Sequence, residues 1–139
     1  MVEHFRKVLE TAAKYEVSLV VHEPIKDTGL RRTFPNMMSR EGAKGQEFNG
    51  FMSSKDNNKP NHTTIIPFTR LLSSPMDYTP GIFNLVDYRY NSPEDRKINP
   101  NHRIPSTISK ELALYVVIYA PVQMAADLPS NYEGNPAFQ

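Results

Sequence analysis

The sequence predicts an α/β fold with parallel strands, of which this chain holds a part, and three observations carry that prediction. Residues 17–21 (VSLVV) are β-branched and apolar on both faces, the pattern of a parallel strand covered by helices. An amphipathic helical segment precedes this run, and a second helix-then-strand pair closes the chain. Both strands run into an acidic residue and a proline. Barrels of (β/α) units and doubly wound sheets open their ligand crevices at such strand ends. A complete eight-unit barrel needs roughly 250 residues, whereas the 139 residues here hold two or three strands. The expectation is therefore a fragment of such a fold.

Taken in order, residues 2–16 place Phe5, Val8, Leu9, Ala12 and Ala13 on one face at helical spacing. The strand at 17–21 follows, giving one αβ step. Twelve prolines and six glycines punctuate the chain, most of them in the middle, which predicts long shaped loops. Within that middle, 34–40 is expected to include a short strand, 41–51 a helical turn or two, and 67–74 a short helix. Residues 88–103 are polar and read as surface loop. A buried helix over 108–119, capped near Ser106, is expected next, then a second buried strand over 122–126 ending at Asp127.

Composition excludes more than it assigns. Sixteen basic and fifteen acidic side chains give a net charge of +1, so no electrostatic footprint argues for nucleic acid or an anionic membrane. The absence of cysteine rules out disulfides, thiolate metal sites and a cysteine nucleophile. The longest nearly apolar run, 112–122, is too short to span a bilayer of roughly 30 Å, and no basic-then-apolar export segment opens the sequence.

Three glutamates are the candidate chemistry: Glu23 on the lip of the first strand, and Glu41 and Glu47 in SREGAKGQEF. Cleavage of a glycosidic bond needs paired carboxylates, one protonated to assist the leaving oxygen and one ionised to attack or to activate water. Calcium also prefers carboxylates and water. Solvated loop charge is the plainer reading of Glu41 and Glu47, while the placement of Glu23 sets it apart. His22 reads equally well as a sugar contact, an orienting group for Glu23, or hydrogen-bonded structure. Lys26, Arg31 and Arg32 are expected to pair with nearby glutamates. Asp77, in SSPMDYTPG, reads as an Asx turn, and the glycosylation acceptor at Asn61 carries no weight.

Four longer blocks, HEPIKDTGLRRTFPN, SREGAKGQEF, HTTIIPFTRLLSSPMDYTPGIF and LALYVVIYAPVQMAADLPSNYEGNPAF, resemble in order the catalytic domain of glycoside hydrolase family 97. The resemblance covers most of the chain from Val17 to Phe138, apart from 84–103. It implies bacterial α-glucosidase or α-galactosidase activity and the last two or three units of a (β/α)8 TIM barrel. In the family that barrel stands between an N-terminal β-sandwich and a C-terminal β-domain, both outside residues 1–139. It further implies Glu47 as general acid, Glu23 as the base of the inverting branch, and Glu23, Glu41 and Glu47 as Ca2+ ligands. His22 would contact an oligosaccharide substrate. In the retaining branch the block matching this one has glycine after the histidine, so Glu23 sides with inversion and α-glucosides. The alternatives are a retaining α-galactosidase type and a non-catalytic carbohydrate-binding fragment. Departures are Asp27 where proline is usual and Phe34 in place of a common tyrosine. The partners implied are the rest of the barrel and its flanking domains, and the compartment implied for the parent enzyme is the periplasm of a Gram-negative bacterium.

Overall fold

The computed structural model describes residues 1–51, 58–86 and 104–138. Helix α1 (Val2–Lys14) buries Leu9 and leaves Val8 part-exposed, so its apolar stripe is covered along one edge only. Tyr15 and Val17 both donate backbone N–H bonds to Ala12 O, and Glu16 turns the chain with φ 56°. Strand β1 (Leu19–Val21) then pairs in parallel with β2 (Met37–Arg40), Leu19 against Met37 and Val21 against Arg40, with one bulge between Leu19 and Val20. Asn36 locks the start of this pair. Its side-chain amide nitrogen donates to Leu9 O and Val17 O, and its backbone carbonyl accepts from Leu19 N at 2.7 Å.

Between the strands the chain passes through the short helix α2 (Leu30–Thr33), entered through Gly29 at φ 88°. Asp27 accepts from Gly29 N and faces Arg31 at 3.5 Å. The expected pairing of Arg31 with a glutamate is thus replaced by an aspartate one helical turn away. Beyond β2, Met76 forms a parallel bridge to Arg40, and Asp77 N donates to Arg40 O. Three aligned chain segments therefore end side by side, at residues 21, 40 and 76.

Helix α3 (Phe48–Phe51) is shorter than the turns expected over 41–51, and α4 (His62–Ile65) with two 3-10 turns, Ile66–Phe68 and Arg70–Leu72, replaces the single helix expected over 67–74. Proline at 67 removes a helical donor, which favours these tight turns over a continuous helix. The loop expected at 88–103 lies outside the described residues.

Helix α5 (Ile108–Val117) is capped by Thr107, whose side chain accepts from Lys110 N. Ser106 instead donates to the Glu111 carboxylate. The helix is not buried as expected: Glu111 and Leu114 are its buried residues, whereas Val116 is 81% exposed. Leu114 and Ile118 join Ile66, Met76 and Tyr78 in the core, with Ala43 and Leu71 packed against it.

The strand expected over 122–126 is not formed. Proline at 121 opens an exposed segment that follows no ladder and instead ties back to a turn, with Ala126 N donating to Pro80 O. That turn needs Gly81. Its φ is 94°, and an added Cβ would overlap the Tyr115 hydroxyl, which itself donates to Pro80 O. Glu111 accepts from Gly81 N and Ile82 N, and Asp127 accepts from Phe83 N and Asn84 N. The carboxylate expected at a strand lip is thus a cap for the 81–84 turn, closed over by helix α6 (Pro129–Tyr132). Phe83, Tyr132 and Phe138 pack as an aromatic cluster on this side. Among the described residues no helix is long and apolar enough to cross a membrane.

Candidate active site

The three aligned segments deliver three polar residues to one edge: His22 follows β1, Glu41 follows β2, and Asp77 follows the Met76 bridge. Parallel strands point the same way, so the residues just past their C-terminal ends are neighbours whatever their separation in sequence. The ladder continues one step beyond the strands, with Glu41 N donating to Val21 O at 2.9 Å.

Glu41 is fixed from behind by arginine. Arg70 Nε donates to Glu41 O and Arg70 Nη2 to Arg40 O, gripping the backbone at and just before the glutamate. Burial and the adjacent Arg40 guanidinium push Arg70 down to about 10. Arg40 in turn donates to Ser73 and Ser74. Gly42 lets the chain leave this knot, for it adopts φ 71° and an added Cβ would press on the Arg40 and Arg70 guanidiniums.

Glu47 arrives on the loop after β2. Gln46 N donates to Tyr78 O, Asn58 Nδ2 donates to Gly45 O, and Asn58 N donates to Asn49 Oδ1. The backbone on either side of Glu47 is thereby held while its side chain stays exposed. His22 Nδ1 lies 3.9 Å from Glu41 Oε2, and ligand atoms of His22, Glu41 and Glu47 all fall within 4.8 Å of one another. Partial desolvation first, and then the neighbouring Glu41 carboxylate, raise the pKa of this largely exposed Glu47 above its ordinary value.

Glu23 borders the cluster differently. Its backbone N–H donates to Glu41 Oε2 at 3.3 Å, its φ is 48°, and its exposed carboxylate stands outside the group formed by His22, Glu41 and Glu47. Of the four residues named from the sequence, the structure therefore gathers three by side chain and the fourth by backbone.

Asp77 is the residue sequence reasoning missed. It is buried, and its Oδ2 lies 2.7 Å from His22 Nε2 while its Oδ1 accepts from Thr79. The Thr79 contact has the i+2 form of the expected local turn, but the carboxylate also reaches across 55 positions to the site. That hydrogen bond is the leading cause raising the His22 pKa.

Two apolar hollows lie away from this edge. One, about 560 Å³, runs along α1 beside Val8, Tyr15 and Val17. The other, about 460 Å³, lies between α4 and α5 beside Pro67, Phe68 and Val117. Neither contains a residue of the acidic cluster.

Comparison with known proteins bears on this edge. A family model described as Glycoside hydrolase 97 matches residues 1–43. A retaining alpha-galactosidase of Bacteroides thetaiotaomicron is 36% identical over 94% of this chain, and a probable retaining alpha-galactosidase of Streptomyces bingchenggensis is 29% identical over 95% of it. Those stretches make up 19% and 18% of the two proteins. A glycoside hydrolase family 97 enzyme of Pseudoalteromonas sp. strain K8 in complex with panose superposes with a TM-score of 0.82 at 46% identity, over 99% of this chain and 20% of that one. The same enzyme in complex with acarbose superposes with the same score at 47% identity. The chain thus spans about a fifth of the length of these relatives. Sequence shared over nearly its whole length, and a backbone that follows the family's enzymes, make this chain a member of glycoside hydrolase family 97.

Proposed function

We propose that this chain supplies the acid and base carboxylates of a glycoside hydrolase acting on terminal α-glucosidic bonds of oligosaccharides, as the closing units of a (β/α)8 barrel. The observation that carries this reading is the gathering of Glu47 and Glu41 with His22 on the parallel strand edge, where desolvation first and then the Glu41 carboxylate raise the Glu47 pKa above its ordinary value. A general acid needs the protonated form. Glu47 donates its proton to the glycosidic oxygen as the bond to the anomeric carbon breaks. Glu23, exposed at the edge of the cluster, takes a proton from the water that attacks that carbon, giving inversion. His22 orients a substrate hydroxyl beside them.

The donor set also fits a calcium ion in part. Glu41 and Glu47 supply hard carboxylate oxygens at one point, and Glu23 borders them, while the remaining oxygens of a six- to eight-fold shell would come from water and from other segments. When bound, the ion would offset the charge of the carboxylate pair and polarise substrate oxygens. The Pseudoalteromonas complexes with panose and acarbose support an oligosaccharide as substrate. The names of the two curated relatives favour a second reading, retaining α-galactoside hydrolysis. Periplasmic placement in a Gram-negative bacterium belongs to the same proposal.

The test exchanges this chain for the matching segment of the Pseudoalteromonas enzyme and follows 4-nitrophenyl α-glucoside and α-galactoside hydrolysis, with product anomers read by NMR. Glucoside turnover with inversion is expected, falling roughly 10²- to 10⁴-fold in Glu47→Gln and sharply with EDTA. Galactoside turnover with retention would transfer the assignment to the second reading, and an unchanged rate in Glu47→Gln would remove the acid from its role.

A further inference from the structure

We propose that Asp77 is a positioning residue for the active site, holding His22 so that imidazole Nδ1 faces the Glu41–Glu47 pair. Three observations converge on it. Asp77 is buried, and its main chain is tied to β2 by the Asp77 N to Arg40 O bond, so the carboxylate is fixed to the same strand edge that presents Glu41. Its two oxygens are divided, Oδ1 accepting from Thr79 and Oδ2 facing His22 Nε2 at 2.7 Å. His22 itself is nearly half exposed, with a side chain 46% accessible, and among the described residues this is the hydrogen bond that holds its ring.

The chemistry follows from what an ionised carboxylate can do. It only accepts, so the short bond requires hydrogen on Nε2. In the neutral ring that leaves Nδ1 as a lone pair, and Nδ1 is the nitrogen 3.9 Å from Glu41 Oε2. Asp77 thereby selects both the tautomer and the ring orientation, giving the site an acceptor for a sugar hydroxyl beside the two carboxylates. Carboxylates that orient a histidine through its far nitrogen are a general device for fixing which nitrogen does the work.

The kinetic arm of the test rests on the hydrolase reading, whereas the spectroscopic arm does not. Long-range 15N–1H correlation spectra of the full chain, at a pH where His22 is neutral, should show Nε2 in the protonated range and Nδ1 in the unprotonated range. In Asp77→Leu, which removes the acceptor, the two should exchange or average. Hydrogen on Nδ1 in the unaltered chain, or a spectrum unmoved by Asp77→Leu, would overturn the proposal. In the exchanged enzyme, Asp77→Asn should lower kcat/KM roughly 10- to 100-fold, and should add little in a His22→Ala background, because both changes remove one device. Losses that multiply in the double variant would overturn the proposal as well. An exchanged enzyme without any turnover would count against the hydrolase reading alone, with the tautomer still deciding Asp77.

Discussion

Asp127 illustrates at the residue scale how a carboxylate can be structural although its neighbours in sequence suggest a lip. Burial opposes its charge, but the N–H of Asn84, the Asn131 amide and the N–H groups of Leu128 and Phe83 outweigh that and hold the carboxyl below its usual 3.8. A folded-state pKa below the unfolded one stabilises the fold fully above about pH 4, and the contribution is lost as pH falls through the folded value. The stability gap between the unaltered chain and Asp127→Asn, measured by urea unfolding at a series of pH values, should be constant near neutrality and shrink below about pH 4. A gap that persists into acid would mean that the ionised form is not what the turn uses. Glu23 is set apart by its place on a strand lip, whereas Glu41 and Glu47 read more plainly as solvated loop charge, and it is the family resemblance that joins them and His22 into one site. Asp77 is not legible, since the segment before it pairs through the single bridge at Met76, too short to leave a periodic signal, and its Thr79 contact satisfies the local turn reading.

At the scale of elements, β1 is readable from its β-branched, apolar run and α1 from its helical stripe, whereas β2, Met-Met-Ser-Arg, carries no such run and is expected only as a short strand somewhere in 34–40. The mostly apolar segment 122–126 is expected as a strand too, yet Pro121 precedes it and its hydrogen bond goes to a turn carbonyl rather than to a strand. An apolar run is silent on whether a neighbouring strand exists to complete a ladder. The cap of α5 makes a sharper test of local rules. Thr107 accepts from Lys110 N, whereas Ser106 one position earlier serves Glu111. Thr107→Ala should cost about 1 kcal/mol, read as a lower urea midpoint with an unchanged slope. No change would show that the first turn of α5 is held by the Glu111 contacts instead.

For the whole molecule, the division of labour is by sequence position. Residues 19–77 build the strand edge and every side chain of the candidate site, while residues 104–138 brace it through the core and the 81–84 turn. Apolar surface stays uncovered where the two parts meet: Phe68 is 78% exposed and Val117 49%, and both line the hollow between α4 and α5. Contiguous exposed apolar surface of this kind drives association. Sedimentation of the chain should show concentration-dependent self-association, relieved in Phe68→Lys with Val117→Lys, and a monomer at all concentrations would mean that this face is tolerated in water.

The left-handed backbone at Glu23 bears on what else position 23 can hold. At φ 48° a residue bearing a Cβ is strained by about 1–2 kcal/mol, a cost glycine escapes. The bond from residue 23 to Glu41 comes from the main chain and survives loss of the side chain. Glu23→Gly should therefore leave thermal stability unchanged or higher while deleting a carboxylate from the edge of the site, and a marked fall in melting temperature would refute this. Position 23 is in that sense an unguarded crossroads: a carboxylate can be gained or given up there in exchange for glycine without first passing through a less stable chain.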